Sequence, residues 1–286
     1  MTPFFQSPGH PRLPAVTKIN PGRLCAATLL ALSPVVAACG PTAPSTPPLT
    51  GESNRTAAQI LADAETAMAA TRSFRVDSQN TTKTGSDSFT LSFADNGDFA
   101  GTVHTLGVSA DAVVVGGQVY IKGREFWARV YSGSGIEPAQ LQVILGKIGQ
   151  RFAHDPGDVL GLLPGSKQLL PADIPDCMSV HGKLSKGGTD TFAGQTVIVL
   201  NDDGSQPGGM PGRYLIADAA PHRLLHADSH GPQTPGAPPA VGKCPAGPQV
   251  TAAAVDTSRK TTFTFSSFDR VGPVTKPTDT VEIAAG

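Results

Sequence analysis

His222, His226 and His230 recur at every fourth position in the last third of the chain. Imidazoles spaced four apart share one face of a helix, where two of them can ligate a single metal ion. On a strand they also share a face, but successive rings then stand about 13 Å apart at roughly 3.3 Å per residue, too far for one ion. Pro221 before them and Gly231-Pro232 after them suit a short strand. Solvent-facing histidines on a sheet are therefore the expectation, and no metal site. Other catalytic signatures are missing. There is no Gly-x-Ser-x-Gly elbow or Ser-x-x-Lys pair. There is no phosphate loop of the Gly-x-x-x-x-Gly-Lys-Ser/Thr type and no His-Glu-x-x-His motif. Gly133-Ser134-Gly135 reads as a loop, and Asp202-Asp203-Gly204 lacks the later acidic ligand of a calcium loop and reads as a turn. The residues point to no enzyme and call for no cofactor.

The thiol chemistry is more specific. Val36-Ala37-Ala38-Cys39 closes an apolar run from Leu24 to Ala38, behind Lys18 and Arg23. Small residues before a cysteine, directly after such a run, resemble the lipobox at which bacterial lipoproteins are cut and acylated. On that reading residues 1–38 are a signal peptide, and Cys39 carries a diacylglycerol and palmitate anchor. The run fits a signal-peptide core and is short of the roughly 20 apolar residues of a transmembrane helix. Pro34 inside it also opposes a stable membrane helix. The segment before Arg23 is long for a leader, and translation starting at Val16 would shorten it. The alternative is an ordinary secretory signal cut near Ala38, leaving Cys39 as a plain thiol.

Cys25 would leave with the leader. In an oxidising compartment the remaining pair, Cys177 and Cys244, reads as a disulfide. Closing so long a loop stabilises a fold by about 4 kcal/mol in the chain-entropy model. Two free thiols, or half of a zinc site, are the alternatives, although neither cysteine has a Cys or His at short ligand spacing. The formal net charge is -1 and only 16% of residues are charged. No basic patch stands out, so nucleic acid is not an expected partner.

Residues 39–52 are rich in Pro, Thr and Ser and read as a tether. Residues 53–286 are enough for one domain with a sizeable core. Asn54 to Thr71 reads as a first helix, with Asn54 as N-cap and Ile60, Leu61, Ala64, Ala67 and Met68 at helical spacing. Short strands follow at 73–84, 88–94, 99–106, 109–115 and 118–122. Asp95-Asn96-Gly97-Asp98 and Gly116-Gly117 supply hairpin turns. Glu125 to Tyr131, holding the only tryptophan, Trp127, continues this meander as a strand. Glu137 to Phe152 reads as a helix with Leu141, Ile144, Leu145 and Ile148 on one face, and Asp155 to Leu163 as a shorter one. Strands resume at Met178 to Ser185, 195–200, 213–217 and 222–229. Gly231 to Pro248 is a Pro- and Gly-rich loop. Lys260 to Phe268 is a half-buried strand, and Val271 to Glu282 is a last extended segment. The order is α+β, with helices set against an antiparallel sheet that must twist and curl.

Beyond the lipobox and tether, the run from Ala112 to Lys122, Phe126-Trp127, the closing Phe263 to Phe268, Gly272-Pro273-Val274 and Pro277 carry a resemblance. They resemble the LppX/LprA/LprF/LprG lipoproteins of mycobacteria and related actinobacteria, relatives in shape of the LolA/LolB lipoprotein carriers. The resemblance covers most of residues 50–282. It implies a curved antiparallel half-barrel with helices on its concave face, enclosing an apolar cavity for acyl chains of lipids or glycolipids moved across the cell envelope. It carries no catalytic residues. Leu61, Met68, Phe89, Phe93, Val113, Trp127, Leu141 and Leu145 are the residues expected to line that cavity, or else to fill a solid core. The expected location is the extracytoplasmic face of the cell membrane, as a monomer anchored through Cys39. The lipid is the expected partner, and an envelope lipid exporter a further one. The alternative is a structural or interaction lipoprotein with a solid core that binds another envelope protein.

Overall fold

The Thr56 hydroxyl accepts the Gln59 main-chain N–H at 3.2 Å, and the Gln59 side-chain oxygen accepts the Thr56 N–H at 2.8 Å. This reciprocal capping box starts helix α1, Ala57–Ala69. Thr56, not Asn54, is the N-cap, because it has a glutamine three residues on. The structure is a computed structural model describing residues 54–132, 136–155, 182–237, 250–252 and 255–283. The signal, Cys39, the tether, Cys177, Cys244 and residues 156–163 of the expected second short helix lie outside the described residues.

After α1 the chain forms β1 (Phe74–Thr82), β2 (Gly85–Phe93), β3 (Phe99–Thr105), β4 (Val108–Val115) and β5 (Gln118–Lys122). Helices α2 (Arg124–Tyr131) and α3 (Pro138–Ile148) follow, then β6 (Phe152–Asp155). Among the described residues the elements that follow are strands: β7 (Leu184–Phe192), β8 (Gln195–Asp202), β9 (Gly212–Ala217), β10 (Leu224–His230), β11 (Lys260–Ser266) and β12 (Thr280–Glu282). All twelve join one open, curved sheet in the order β12-β6-β5-β4-β3-β2-β1-β11-β10-β9-β8-β7. Every neighbouring pair is antiparallel except β12 and β6. The fold is α+β, and the sheet does not close into a barrel.

Alternation decides the faces. Phe74, Val76, Leu91, Phe93, Ala112 and Val114 turn to the side covered by the helices, where Ile60, Leu61, Trp127, Leu145 and Ile148 meet them in one core. Aromatic rings fill its middle: Phe74 stacks on Phe93 at 5.0 Å, and Phe93 lies 4.9 Å from Phe99. Intervening residues such as Arg75 and Asp77 face the other way. A bulge between Leu224 and His226 interrupts the β10 alternation. Leu224 stays in the main core, while Leu225 joins a second cluster with Val197, Val199, Leu215 and Ala217.

Register rows define the two ends of the sheet. One row runs Leu184, Asp202, Gly212, Ser229, Thr261, Asn80, Asp87. One residue further along β2, Ser88 pairs with His104, next to the β3–β4 turn. The start of β7 and the β1–β2 and β3–β4 hairpin tips therefore share one rim.

The segment Glu125–Tyr131 is a helix, not a strand. Gly123, at φ 159, breaks from β5, and Phe126, Trp127, Val130 and Tyr131 then recur at helical spacing. Asp155 closes strand β6. Of the expected Met178–Ser185 strand, residues 178–181 lie outside the described residues; β7 begins at Leu184 and continues beyond it through Lys186-Gly187-Gly188-Thr189-Asp190. As an exposed edge strand it has no buried face to impose apolar alternation. Of Val271 to Glu282, only the last three residues enter the sheet.

Candidate functional site

Helix α1 lies against β7 and β10 and leaves a pocket beside the sheet edge. Thr56, Ala57, Ala58, Leu61, Ala62 and Glu65 form its helical wall, and Gly182 and Leu184 face them. Its volume is about 510 Å³, inside the roughly 300–1,000 Å³ range of small-molecule sites. Residues 57, 58, 61, 62 and 65 recur at three- and four-residue steps, so one stripe of α1 supplies the wall. Small side chains at 58 and 62 keep it open.

The opposite wall is shaped by a close backbone approach. A Cβ on Gly182 would stand 2.1 Å from Asp203 Oδ1 and 2.5 Å from the Ser205 nitrogen. Asp203 in turn accepts the Lys183 main-chain N–H at 2.7 Å and that of Ser205 at 3.0 Å. Hydrogen bonding from the Ser205 side chain, joined by these amides, holds its carboxyl below the usual range. Behind this turn, buried Asp202 accepts the Gly204 N–H at 2.9 Å and lies 3.5 Å from the Tyr214 hydroxyl. Burial, assisted by the Asp202 charge, pushes the Tyr214 hydroxyl up, so it stays a neutral donor. The pocket offers apolar surface with a polar residue at either end of its helical wall, Thr56 and Glu65. As an open groove, with Ala58 and Ala62 exposed, it can cover one side of an apolar chain. Among the described residues, no group of three or more His, Cys, Asp or Glu side chains is placed to hold a metal ion.

Of the residues expected to line a cavity, Leu61 lines this pocket. Met68, Phe93, Trp127 and Leu145 are buried within the core between helices and sheet. Phe89 and Leu141 are partly buried against it. Val113 is separated from them: it pairs with Tyr120 on the other face of the sheet from Ala112 and Val114. Ala58, Ala62, Glu65 and Leu184 were not anticipated. The small-residue spacing of Ala58 and Ala62 was visible on α1, but nothing in the sequence placed it against β7.

The three histidines separate. His222 precedes β10 with Nδ1 3.1 Å from the Ala217 carbonyl, and His230 ends the strand. His226 is half-buried, its ring 5.0 Å from Phe192, Nδ1 2.9 Å from Thr264 Oγ1 and Nε2 3.6 Å from Asp228. Burial lowers its pKa, against the opposing pull of Asp228.

No protein-family model matches the chain, and no curated protein does. Several solved structures are similar to it. The lipoprotein LppX of Mycobacterium tuberculosis matches with TM-score 0.45 and 13% identity, over 76% of this chain and 99% of that one. LprF from Mycobacterium bovis matches with TM-score 0.47 and 15% identity, over 77% and 96%. A LolA superfamily protein from Nitrosomonas europaea matches with TM-score 0.23 and 8% identity, over 75% and 93%.

Proposed function

We propose that this chain is a lipoprotein of the LppX/LprF kind, acylated at Cys39, that holds acyl chains of a lipid or glycolipid and carries them across the cell envelope. The observation that carries the reading is the pocket between α1 and β7. Residues 1–38 are its signal peptide, 39–52 its tether and 53–286 its carrier domain. The protein works at the extracytoplasmic face of the membrane as a monomer, with an envelope lipid exporter as a further partner. Cys177 and Cys244 pair in a disulfide.

The mechanism is passive and is not enzymatic. Each methylene moved from water into an apolar pocket contributes about 0.8 kcal/mol. Delivery needs only a comparable affinity at the acceptor, so neither nucleotide nor metal enters. The anchor raises the effective concentration of the carrier at its donor surface. A second reading has its own support: Trp127, Phe74, Phe99 and Phe126 fill the helix-covered face with at most 1% exposure. A filled core suits an interaction lipoprotein that binds another envelope protein.

Native mass spectrometry with organic extraction, on protein purified from an actinobacterial host, separates the two. A stoichiometric lipid adduct supports the carrier. Ala58→Trp and Ala62→Trp fill the pocket from exposed helix positions and should abolish that adduct while leaving the fold intact. A bare protein mass, with no uptake of offered lipids, supports the interaction reading.

A further inference from the structure

Leu106 and Val143 are the two large apolar side chains left mostly exposed among the described residues, at 51% and 60%. Leu106 is the odder of the two. With Gly107 it forms the two-residue turn between Thr105 and Val108, at φ 55 and 75. Turns with positive φ at both central residues favour Asn, Asp and Gly, and a leucine there is strained. The comparable β4–β5 turn uses Gly116 and Gly117. Leu106 therefore suits neither its turn nor the water around it. An outlier of this kind motivates a functional reading.

Its position says which. The β3–β4 tip shares a rim with the start of β7 and, through the pocket, with the N-terminus of α1. The chain enters α1 at that rim, its N-cap Thr56 only seventeen positions after Cys39. Charges along this rim are of both signs: Lys83, Lys183 and Lys260 stand with Asp87, Asp203 and Asp256, whose carboxylate accepts the Lys83 N–H at 2.8 Å. An attraction to anionic headgroups is not built in. A lone apolar tip is also too small for a stable protein interface, which buries about 1,200 Å² or more. It can still enter a bilayer that a tether already holds close.

We propose that this rim is the membrane-facing end of the domain and that Leu106 inserts into the acyl region of the bilayer beneath it. The inference rests on the Cys39 anchor but not on what the pocket holds. Insertion keeps the pocket mouth at the lipid surface.

The test uses the full protein as processed in a mycobacterial host, bound to phosphatidylcholine vesicles with brominated acyl chains. The mass of the N-terminal peptide is measured first, so a failed anchor is seen separately. Trp127 is the only tryptophan and is fully buried, so it serves as an internal reference. In Leu106→Trp the added emission should be largely lost to bromine quenching. In Asp95→Trp, at the opposite rim, it should survive. Quenching at 106 should persist in about 1 M salt, where the Debye length is only about 3 Å. No quenching at residue 106, equal quenching at both positions, or loss of quenching in high salt overturns the proposal. A protein partner at this tip gives the first of those results, because the vesicles contain none.

Discussion

The carboxylate of Asp269 accepts the main-chain N–H of Arg72 at 2.9 Å, joining residues 197 positions apart. Its other oxygen meets the Arg223 guanidinium, which lies 4.9 Å over the Phe268 ring. The Asp269 N–H donates to the Ser73 carbonyl at 2.7 Å. The end of β11 is thereby fastened to the entry of β1. The Arg72 amide, with Arg223 adding its charge, holds the Asp269 carboxyl below its usual range. A carboxylate lowered in the folded state contributes stability above its unfolded value of about 3.9, and that stability is lost as pH falls through the lowered folded value. Asp269→Asn should cost about 1–2 kcal/mol at neutral pH. In urea titrations the gap to the parent protein should close on acidification below about pH 4. A gap independent of pH would refute the electrostatic account.

His226 acts in a higher pH window. Its ring is desolvated against Phe192 and held at Nδ1 by Thr264, with Asp228 and Arg213 as the charged neighbours. Burial is the first cause of its lowered pKa. The unfolded imidazole takes up a proton near pH 6.5 while the folded one resists. Stability is therefore full above that pH and falls as pH drops through the lowered folded value. His226→Gln should flatten the stability profile between about pH 7 and 5. Equal slopes in variant and parent would assign the acid sensitivity to another group.

The hairpins were legible because their signals are local. Asn96-Gly97 and Gly116-Gly117 fix turns, and the Phe89, Leu91, Phe93 alternation fixes a face. The capping of α1 and the placement of α2 required more. Aromatic and branched residues in Glu125–Tyr131 suggested a strand, although the 126, 127, 130, 131 spacing was already helical. Edge strand β7 left little pattern to read, since β8 is its one strand partner and only its end residues Leu184 and Phe192 pack against apolar clusters. The pocket was invisible for a related reason. It depends on how α1 sits beside β7, a relationship between distant segments, whereas the expected cavity residues mark burial without distinguishing a wall from a core. Val113 shows the same limit: its apolar character was clear, but only strand pairing reveals which face it occupies.

Gly101 tests the sheet at its tightest point. It pairs with Leu91 on one side and Ala112 on the other. A Cβ there would lie 1.9 Å from the Thr90 carbonyl oxygen and 2.9 Å from the Leu91 Cα. Both obstacles are backbone, so no rotamer change can relieve them. Gly101→Ala should destabilise the domain by about 3 kcal/mol, the upper part of the range for overpacking. Gly107→Ala, with open space around its Cβ, should cost less despite its positive φ. Chemical denaturation of the two variants checks the order, and a reversed order would mean that the sheet shifts to accept a methyl group.

Trp127 ties α2 to the sheet by packing and by one hydrogen bond. Its ring is fully buried, edge-on to Phe126 at 5.7 Å and stacked on Tyr131 at 5.8 Å. Its indole N–H donates to the Ile121 carbonyl in β5 at 3.2 Å. Trp127→Ala removes both contributions and opens a cavity, which costs about 3–5 kcal/mol for large aromatic truncations. Trp127→Phe keeps much of the packing but leaves the Ile121 carbonyl without this donor, at about 1–3 kcal/mol. Denaturant titration followed by far-ultraviolet circular dichroism measures both, since the variants lose the tryptophan signal. Hydrogen exchange should show the loss first in α2 and in the last residues of β5. Costs that are equal in the two variants would mean that the hydrogen bond, not the packing, positions the helix.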